Sequence, residues 1–385
     1  MSIKRILDFS LPQGQSVFLW GPRKTGKSTF LKENFPDSIV YDFLKTEVYF
    51  KYLSEPSLLR QELELKKTDE LKVPVILDEV QKIPQILDEV HWLIENRKTG
   101  FILCGSSARK LKRGHANMLG GRAWRFELFP FVSAELKEFD LLRALNNGLI
   151  PSHYLEEKYS RRLINAYVQD YLKEEIFDEG LTRNVPAFSR FFDSLAYSHG
   201  ELTNYSNIAR DCGVSAKTVK EYYQILVDTN LGTMVEPYIK NQSRQVISRA
   251  PKFYLFDVGV AGAIVKRYIE EQRGAEFGKA FEHFIFMELK AYSYYSEKNY
   301  DIHFWRTKSG LEVDFILNRG SVAVEVKGSC NVRDTELKGM LSFKEDNNPQ
   351  KTIVVSNETT PRLCKGIMIL PWKTFLKQLW NGEII

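Results

Sequence analysis

The stretch GPRKTGKST runs Gly21, Pro22, Arg23, Lys24, Thr25, Gly26, Lys27, Ser28, Thr29 and fits the register GxxxxGK[ST]. Glycines at the first and sixth places let a loop wrap with its backbone N–H groups turned toward phosphate oxygens. A helix starting near Lys27 adds the positive end of its dipole. In such a loop Lys27 reaches the β- and γ-phosphates of a nucleotide, and Ser28 ligates Mg2+. The strand-like run SVFLW before the loop and the helical pattern after it are the context the motif needs. ATP and Mg2+ are the expected ligands.

A hydrolase also needs an acid for the metal and a base for water. The pentapeptide ILDEV occurs twice, at 76–80 and 86–90. The first copy extends the apolar run VPVIL, a buried strand whose acids emerge at its C-terminal end, where open α/β sheets bind ligands. Around the second copy Ile83, Ile86, Leu87, Val90, Leu93 and Ile94 recur at helical spacing, so Asp88 and Glu89 fall on a solvated face. Asp78 is thus assigned to Mg2+ and Glu79 to the attacking water, which favours hydrolysis over passive binding. The next strand, FILCGSS, delivers Ser106, whose hydroxyl can touch the γ-phosphate or the water; the plainer reading is a Gly-Ser turn. In GGRAWRFELFPF, Arg122 is either a cation for the γ-phosphate, in its own chain or a neighbour's, or a surface arginine. Supply by a neighbour would make the protein a homo-oligomer.

Two further stretches carry chemistry. NIARDCGVSAKTVKEYY places Ala209, Gly213 and Val219 as a helix-turn-helix requires, with Lys217, Thr218 and Lys220 directed outward toward phosphates and bases. The hairpin-like segment after it, with a basic tip, reads as a wing. DNA is the expected partner, although such modules also serve as internal scaffolds. Near the C-terminus, RTKSGLEVDFILNRGSVAVEVKGS holds Asp314, Glu325 and Lys327. On adjacent strands the two carboxylates can chelate one Mg2+ and the lysine can orient its water. This spacing is the D…ExK pattern of restriction-endonuclease-like nucleases. Upstream, FGKAFEHFIFMEL sets Glu282 and Glu288 beside an apolar helical stripe, where an acid needs a partner and a metal cluster is one. Glu282, Asp314 and Glu325 are the expected metal ligands there; ordinary hairpin charges are the alternative.

The elements that must position these residues follow from the pattern. Residues 16–130 alternate short apolar runs (SVFLW, SIVYDF, VPVILDE, FILCGSS) with helical stretches, which predicts a parallel α/β sheet. From 131 to 190 the pattern is helical, and from Phe253 onward a helix mixes with strands. At 385 residues, with 43% hydrophobic and 27% charged content, the chain suits two or three globular domains. No apolar run approaches the roughly 20 residues of a membrane span, and the N-terminal residues lack the apolar core of an export signal. Cys104, Cys212, Cys330 and Cys364 are scattered without a CxxC pair, which predicts reduced thiols and a cytoplasmic protein with no structural metal. Net charge is only +5, yet six Lys or Arg between Arg109 and Arg125, and four between Lys240 and Lys252, come with no acid. Such stretches suit phosphate partners or are simply solvated loops.

As an assembly, GPRKTGKS, VILDEVQKIP, LCGSSARKL, LGGRAWRFELFPF, NGLIP, YVQDYLKEEIF, APKFYLFDVG and GLEVDFIL…VAVEVKG resemble prokaryotic ATPases of the AAA+ superfamily that carry a C-terminal restriction-endonuclease-like domain of unknown function. The resemblance covers almost the whole chain. It implies an α/β protein with a P-loop ATPase core of five strands at 1–130, a helical lid at 131–190, a winged helix-turn-helix at 191–252 and a restriction-endonuclease-like domain at 253–385. It supports Lys27, Ser28, Asp78, Glu79, Ser106 and Arg122 for ATP, and Glu282, Asp314, Glu325 and Lys327 for the tail. Val313 stands where the nuclease pattern usually has proline. Two functions are expected: an ATP hydrolase working on DNA with a nuclease-like tail, or an ATP-dependent switch whose inactive tail binds DNA or a protein partner.

Overall fold

The computed structural model describes residues 3–109, 111, 119–172, 185–239 and 250–385. Strands β1 (Ser16–Trp20), β2 (Val40–Asp42), β3 (Val75–Asp78), β4 (Phe101–Gly105) and β5 (Ala123–Glu127) form one sheet in the order β2-β3-β4-β1-β5. Every pairing in it is parallel. Strands β1, β3 and β4 are buried along their whole length, which is why they read as unbroken apolar runs rather than alternating ones. Phe18 and Trp20 pack on one face with Leu77 and Leu103, while Val17 and Leu19 pack on the other with Phe30 and Leu31 of helix α1 (Lys27–Asn34). Trp20 lies opposite Gly105 and Asp78 opposite Cys104, so the segments leaving β1, β3 and β4 enter one crevice at the C-terminal edge.

Helices α2 (Thr46–Ser54) and α3 (Leu58–Glu64) occupy the connection from β2 to β3, and α4 (Ile86–Arg97) that from β3 to β4. The second ILDEV lies in α4: Ile86, Leu87, Val90 and Leu93 are buried, Asp88 is exposed, and Glu89 pairs with Arg60 at 2.9 Å.

Beyond the sheet, α5 (Leu141–Asn147), α6 (Pro151–Tyr154) and α7 (Ser160–Ala166) lead to α8 (Val185–Ser198), α9 (Tyr205–Cys212) and α10 (Ala216–Asp228). Gly213 closes α9 at φ 67°, in the left-handed region, and Ser215 caps α10 by accepting the Thr218 N–H at 3.1 Å. Ala209, Cys212, Val219 and Tyr222 meet Phe191 and Phe253 in one core. An antiparallel pair, β6 (Gly232–Val235) and β7 (Lys252–Leu255), follows α10. Of the described residues after 131, Phe131, Leu141, Leu145, Leu149 and Tyr154 pack with the C-terminal sheet, whereas Ile150 and Ile164 pack with α8 to α10.

Asp257 ties two sequence stretches together. It caps α11 (Val258–Ile264) through the N–H groups of Gly259 and Val260, and it accepts the Leu149 N–H at 2.7 Å. A Cβ at Gly148 would lie 2.0 Å from its carboxylate, so NGLIP and FDVG fit each other as a packed joint.

The C-terminal sheet has six strands in the order β12-β13-β11-β10-β9-β8: β8 (Ile302–Arg306), β9 (Glu312–Leu317), β10 (Val322–Lys327), β11 (Lys351–Ser356), β12 (Arg362–Cys364) and β13 (Ile367–Pro371). Helices α12 (Gly274–Tyr295) and α14 (Trp372–Trp380) cover the face of Phe315, Val324 and Val326, and α13 (Lys338–Asn347) covers the face of Ala323 and Val354. The sequence reading anticipated neither β12 and β13 nor α14. The basic tip at 240–249, most of the basic run at 110–118 and the KEEIF part of YVQDYLKEEIF lie outside the described residues.

Candidate nucleotide site and carboxylate cluster

The loop Gly21–Gly26 owes its shape to backbone conformations that favour glycine. Gly26 caps α1 at φ 93°, and a Cβ on Gly21 would stand 2.4 Å from the Leu128 carbonyl oxygen. Thr25 is fully buried and its hydroxyl donates to the Pro22 carbonyl at 2.9 Å. The Lys27 ammonium, itself buried, lies on the Gly21 and Pro22 carbonyls at 2.7 and 3.0 Å. Lys24 and Thr29 face outward, and the Arg23 carbonyl accepts from the Tyr167 hydroxyl at 3.5 Å.

Across the crevice, the Ser28 hydroxyl donates to Asp78 Oδ2 at 2.8 Å. Ser28 is exposed while Asp78 is nearly buried, so a hydroxyl and a carboxylate converge at a mouth open to solvent. Two oxygen donors from facing elements are the set Mg2+ takes when phosphates and waters complete its shell. Glu79 sits at φ 59°, left-handed for a non-glycine residue, so the chain turns sharply as it leaves β3. Its Oε2 accepts from Gln81 Nε2 at 2.5 Å, and the same amide donates to Ser106 Oγ at 3.3 Å. Gln81 is buried, and among the described residues its Oε1 has no hydrogen-bond partner; Gly105 leaves the room it fills, since a Cβ there would come within 2.1 Å of that oxygen. The Ser106 carbonyl accepts from Asn230 Nδ2 at 3.2 Å, and Arg109 pairs with Asp228 at 2.5 Å. The end of α10 therefore rests on the strand that carries Ser106.

Sequence reasoning missed Gln81, and it also missed Arg5. The Arg5 guanidinium holds Glu135 at 2.9 Å, the Thr25 carbonyl at 2.8 Å and the Phe129 carbonyl at 2.7 Å, fastening the loop to the FPF segment. No local spacing marks a contact across more than a hundred residues.

Arg122 is not brought to this crevice. It precedes β5, whose Ala123 lies opposite Ser16 at the start of β1, whereas the phosphate loop follows the end of β1. A five-residue strand, about 16 Å, separates the two, and Arg122 pairs instead with Glu95 of α4. The own-chain role is set aside on that geometry.

Lys217 and Lys220 are exposed on α10. Thr218 is half-buried, its N–H and hydroxyl both engaged with Ser215.

The tail residues converge. Asp314 Oδ2 accepts the Val326 N–H at 2.7 Å, Glu325 Oε2 accepts the Asp314 N–H at 3.3 Å, and Lys327 holds Glu325 Oε1 at 2.5 Å. Glu282 accepts from the Tyr254 hydroxyl at 2.5 Å. Burial, then the charges of Glu325 and Glu282, push the Asp314 carboxyl well above its ordinary range. Burial also pushes Glu325 up, opposed by Lys327. Lys252, which the sequence counts in a basic run suited to phosphates or a solvated loop, is instead buried and enters the same cluster. Burial works against its charge, but Glu282, Asp314 and Glu312 outweigh that and hold it above the ordinary lysine range. Among the described residues, no three or more His, Cys, Asp and Glu side chains are grouped to hold a metal ion. Within the expected set, Glu282 and Glu325 each stand against a lysine of the chain, while Asp314 accepts a backbone N–H. Glu288 points elsewhere: Ser133 and the Trp380 indole bond it, and burial raises its carboxyl to about 7.

Residues 13–137 match a family model described as an AAA domain. Residues 138–270 and 277–375 match two domains of unknown function, DUF8612 and DUF4143. Uncharacterized proteins of Mycobacterium tuberculosis (strain ATCC 25618 / H37Rv) and Mycobacterium bovis (strain ATCC BAA-935 / AF2122/97) are each 23% identical over 314 residues, covering 79% of this chain and 68% of the relative. Among solved structures, the Walker-type ATPase PABY2304 of Pyrococcus abyssi aligns at 14% identity over 65% of this chain and 90% of that one, with a TM-score of 0.44. The N-terminal third is therefore similar in sequence to AAA ATPase domains, and it carries the P-loop described above. Among the described residues no helix is long and apolar enough to cross a membrane.

Proposed function

We propose that the protein binds and hydrolyses ATP with Mg2+ and works on or with DNA. The observation that carries this reading is the meeting of Ser28 and Asp78 at 2.8 Å beside the phosphate loop, with Glu79 held next to them by Gln81. Loop N–H groups and the N-terminus of α1 bind the phosphates, and Lys27 trades its loop carbonyls for phosphate oxygens. Ser28 and Asp78 hold Mg2+, which when bound draws charge from the phosphate oxygens. Glu79 orients a water and takes its proton, and Ser106 steadies the Gln81 amide that holds Glu79. Arg122, too far from its own loop, serves the site of a neighbouring copy, which makes the working form a homo-oligomer. In the test, Glu79→Gln is expected to keep ATP affinity within twofold and to lose at least a hundredfold in turnover; unchanged turnover overturns the assignment.

For DNA, the support is the pair Lys217 and Lys220, exposed on a capped helix of a helix-turn-helix, with Thr218 between them. In this reading α8 to α10 with β6 and β7 form a winged module, and residues 253–385 a nuclease-like domain. Replacing Lys217 and Lys220 by alanine is expected to weaken binding and to lower the slope of log K against log[salt] by about 1 per lysine. A specific observation favours the regulator over the nuclease: Glu282, Glu312 and Glu325 are paired with the chain's own Lys252, Arg306 and Lys327, and Asp314 is held by a backbone N–H. On that ground the tail binds DNA or a protein partner and the ATPase cycle sets its state.

A further inference from the structure

Four carboxylates, Glu282, Glu312, Asp314 and Glu325, meet three cations, Lys252, Arg306 and Lys327, where α12, β7 and strands β8 to β10 of the six-stranded sheet come together. Lys252 is the innermost of the cations, with a side chain 5% exposed. Its ammonium stands 2.6 Å from Glu312 and 3.5 Å from Glu282, with the Phe304 ring centroid 5.5 Å away. Two residues on, Tyr254 uses the same face of β7 to reach Glu282 at 2.5 Å. The other cations are placed further out: Arg306 holds the second oxygen of Glu312 at 2.7 Å, and Lys327 holds Glu325 at 2.5 Å.

A two-carboxylate metal site keeps acid oxygens free for the ion, and the D…ExK pattern sets one lysine, here Lys327, beside them; a second buried cation competes with the ion for those oxygens. Here β7 delivers one. This strand belongs to the hairpin that follows α10; Lys252 pairs with Val235 and also bridges to Leu202. The cation and the hairpin thus reach the cluster as one piece, and a buried ion pair resists separation because removing either partner leaves the other charge uncompensated.

We propose that Lys252 is the resident cation of this cluster, its ammonium taking the place of a divalent metal so that the carboxylates fasten β7 to the C-terminal sheet instead of holding an ion for phosphodiester cleavage. This rests on reading the tail as nuclease-like. It assigns the cluster to an internal ion pair, and the chain binds divalent cations there only when Lys252 is removed or withdrawn.

The test is Mn2+ binding by the full chain with no nucleotide added, followed through the EPR signal of free Mn2+. Wild type and Lys252→Arg are expected to show no Mn2+ site that depends on Asp314. Lys252→Met, which keeps the length and drops the charge, is expected to gain one site at least tenfold tighter, lost again in the double variant with Asp314→Asn. If Lys252→Met does not fold by circular dichroism, Lys252→Gln, which drops the charge but keeps a hydrogen-bonding head group for Glu312, replaces it with the same expected gain. A wild-type Mn2+ site abolished by Asp314→Asn would overturn the proposal while leaving the nuclease-like reading standing. No gain in the folded variants would overturn the proposal and that reading together.

Discussion

Replacing Gln81 by leucine separates catalysis from stability at this site. The Gln81 amide makes two donations, to Glu79 at 2.5 Å and Ser106 at 3.3 Å, while its carbonyl oxygen is buried without a partner among the described residues. Leucine removes both donations, which destabilises, and also the orphaned acceptor, which stabilises; the two oppose, so the fold should change by no more than about 2 kcal/mol. The hydrogen bond to the Glu79 carboxylate is charge-assisted and contributes about 1.5–3 kcal/mol. If that bond orients the base, its loss lowers kcat by roughly 10- to 150-fold. Gln81 has no contact with the phosphate loop among its hydrogen bonds, so KM for ATP should stay within twofold. A phosphate-release assay across ATP concentration, beside a urea melt, reads both quantities. Gln81→Glu adds a finer test: a second carboxylate beside Glu79 makes the pair share a proton, so the acid limb of the kcat–pH profile moves to higher pH. Wild-type kcat in Gln81→Leu, or a loss confined to KM, would refute the positioning argument.

Two buried histidines, His153 and His283, and the half-buried His199 set how stability depends on pH. Burial, aided by Lys24, pushes His153 down to about 4, burial pushes His199 to about 3, and burial with His199 beside it holds His283 well below 6.5. The unfolded chain takes up these protons below about pH 6.5 and the folded chain does not, so stability falls as pH drops through that window. For His153 alone, going from pH 7 to 5 costs about 2 kcal/mol, and His153→Phe should flatten urea-derived stability between those pH values by that amount; an unchanged slope counts against the assignment. Arg122→Ala should lower ATP turnover by roughly a thousandfold, and mixing it with Lys27→Ala, which cannot bind phosphates but still presents Arg122, should restore part of it. Full activity in Arg122→Ala alone would return this residue to the surface.

The nucleotide site was legible because it is local. A glycine loop between a strand and a helix is written in nine consecutive residues, and the two ILDEV copies separate by the period of their apolar neighbours alone. The convergence of Glu282, Asp314, Glu325 and Lys327 was legible for a similar reason, since alternate residues of a strand share a face. Lys252 was not, because its partners lie 30 and 60 residues away and nothing in PKFY announces them; the one available hint was its sharing a strand face with Tyr254. Arg5 and Asn230 act across similarly long separations. Arg122 could have been placed better from sequence, because a residue just ahead of a parallel strand lies at the edge opposite the ligand crevice. The edge strand β12 escaped notice because it is short and half-exposed and its run has no apolar period.

The central claim is that this loop, with Ser28, Asp78 and Glu79, turns over ATP. Its most direct test is phosphate release by the purified full chain with Mg2+, set beside Lys27→Ala and Glu79→Gln, with nucleotide binding measured on each. The account predicts turnover in the wild type, loss of both binding and turnover in Lys27→Ala, and binding without turnover in Glu79→Gln. Turnover that survives in Glu79→Gln, or a wild type that binds no ATP, would contradict it.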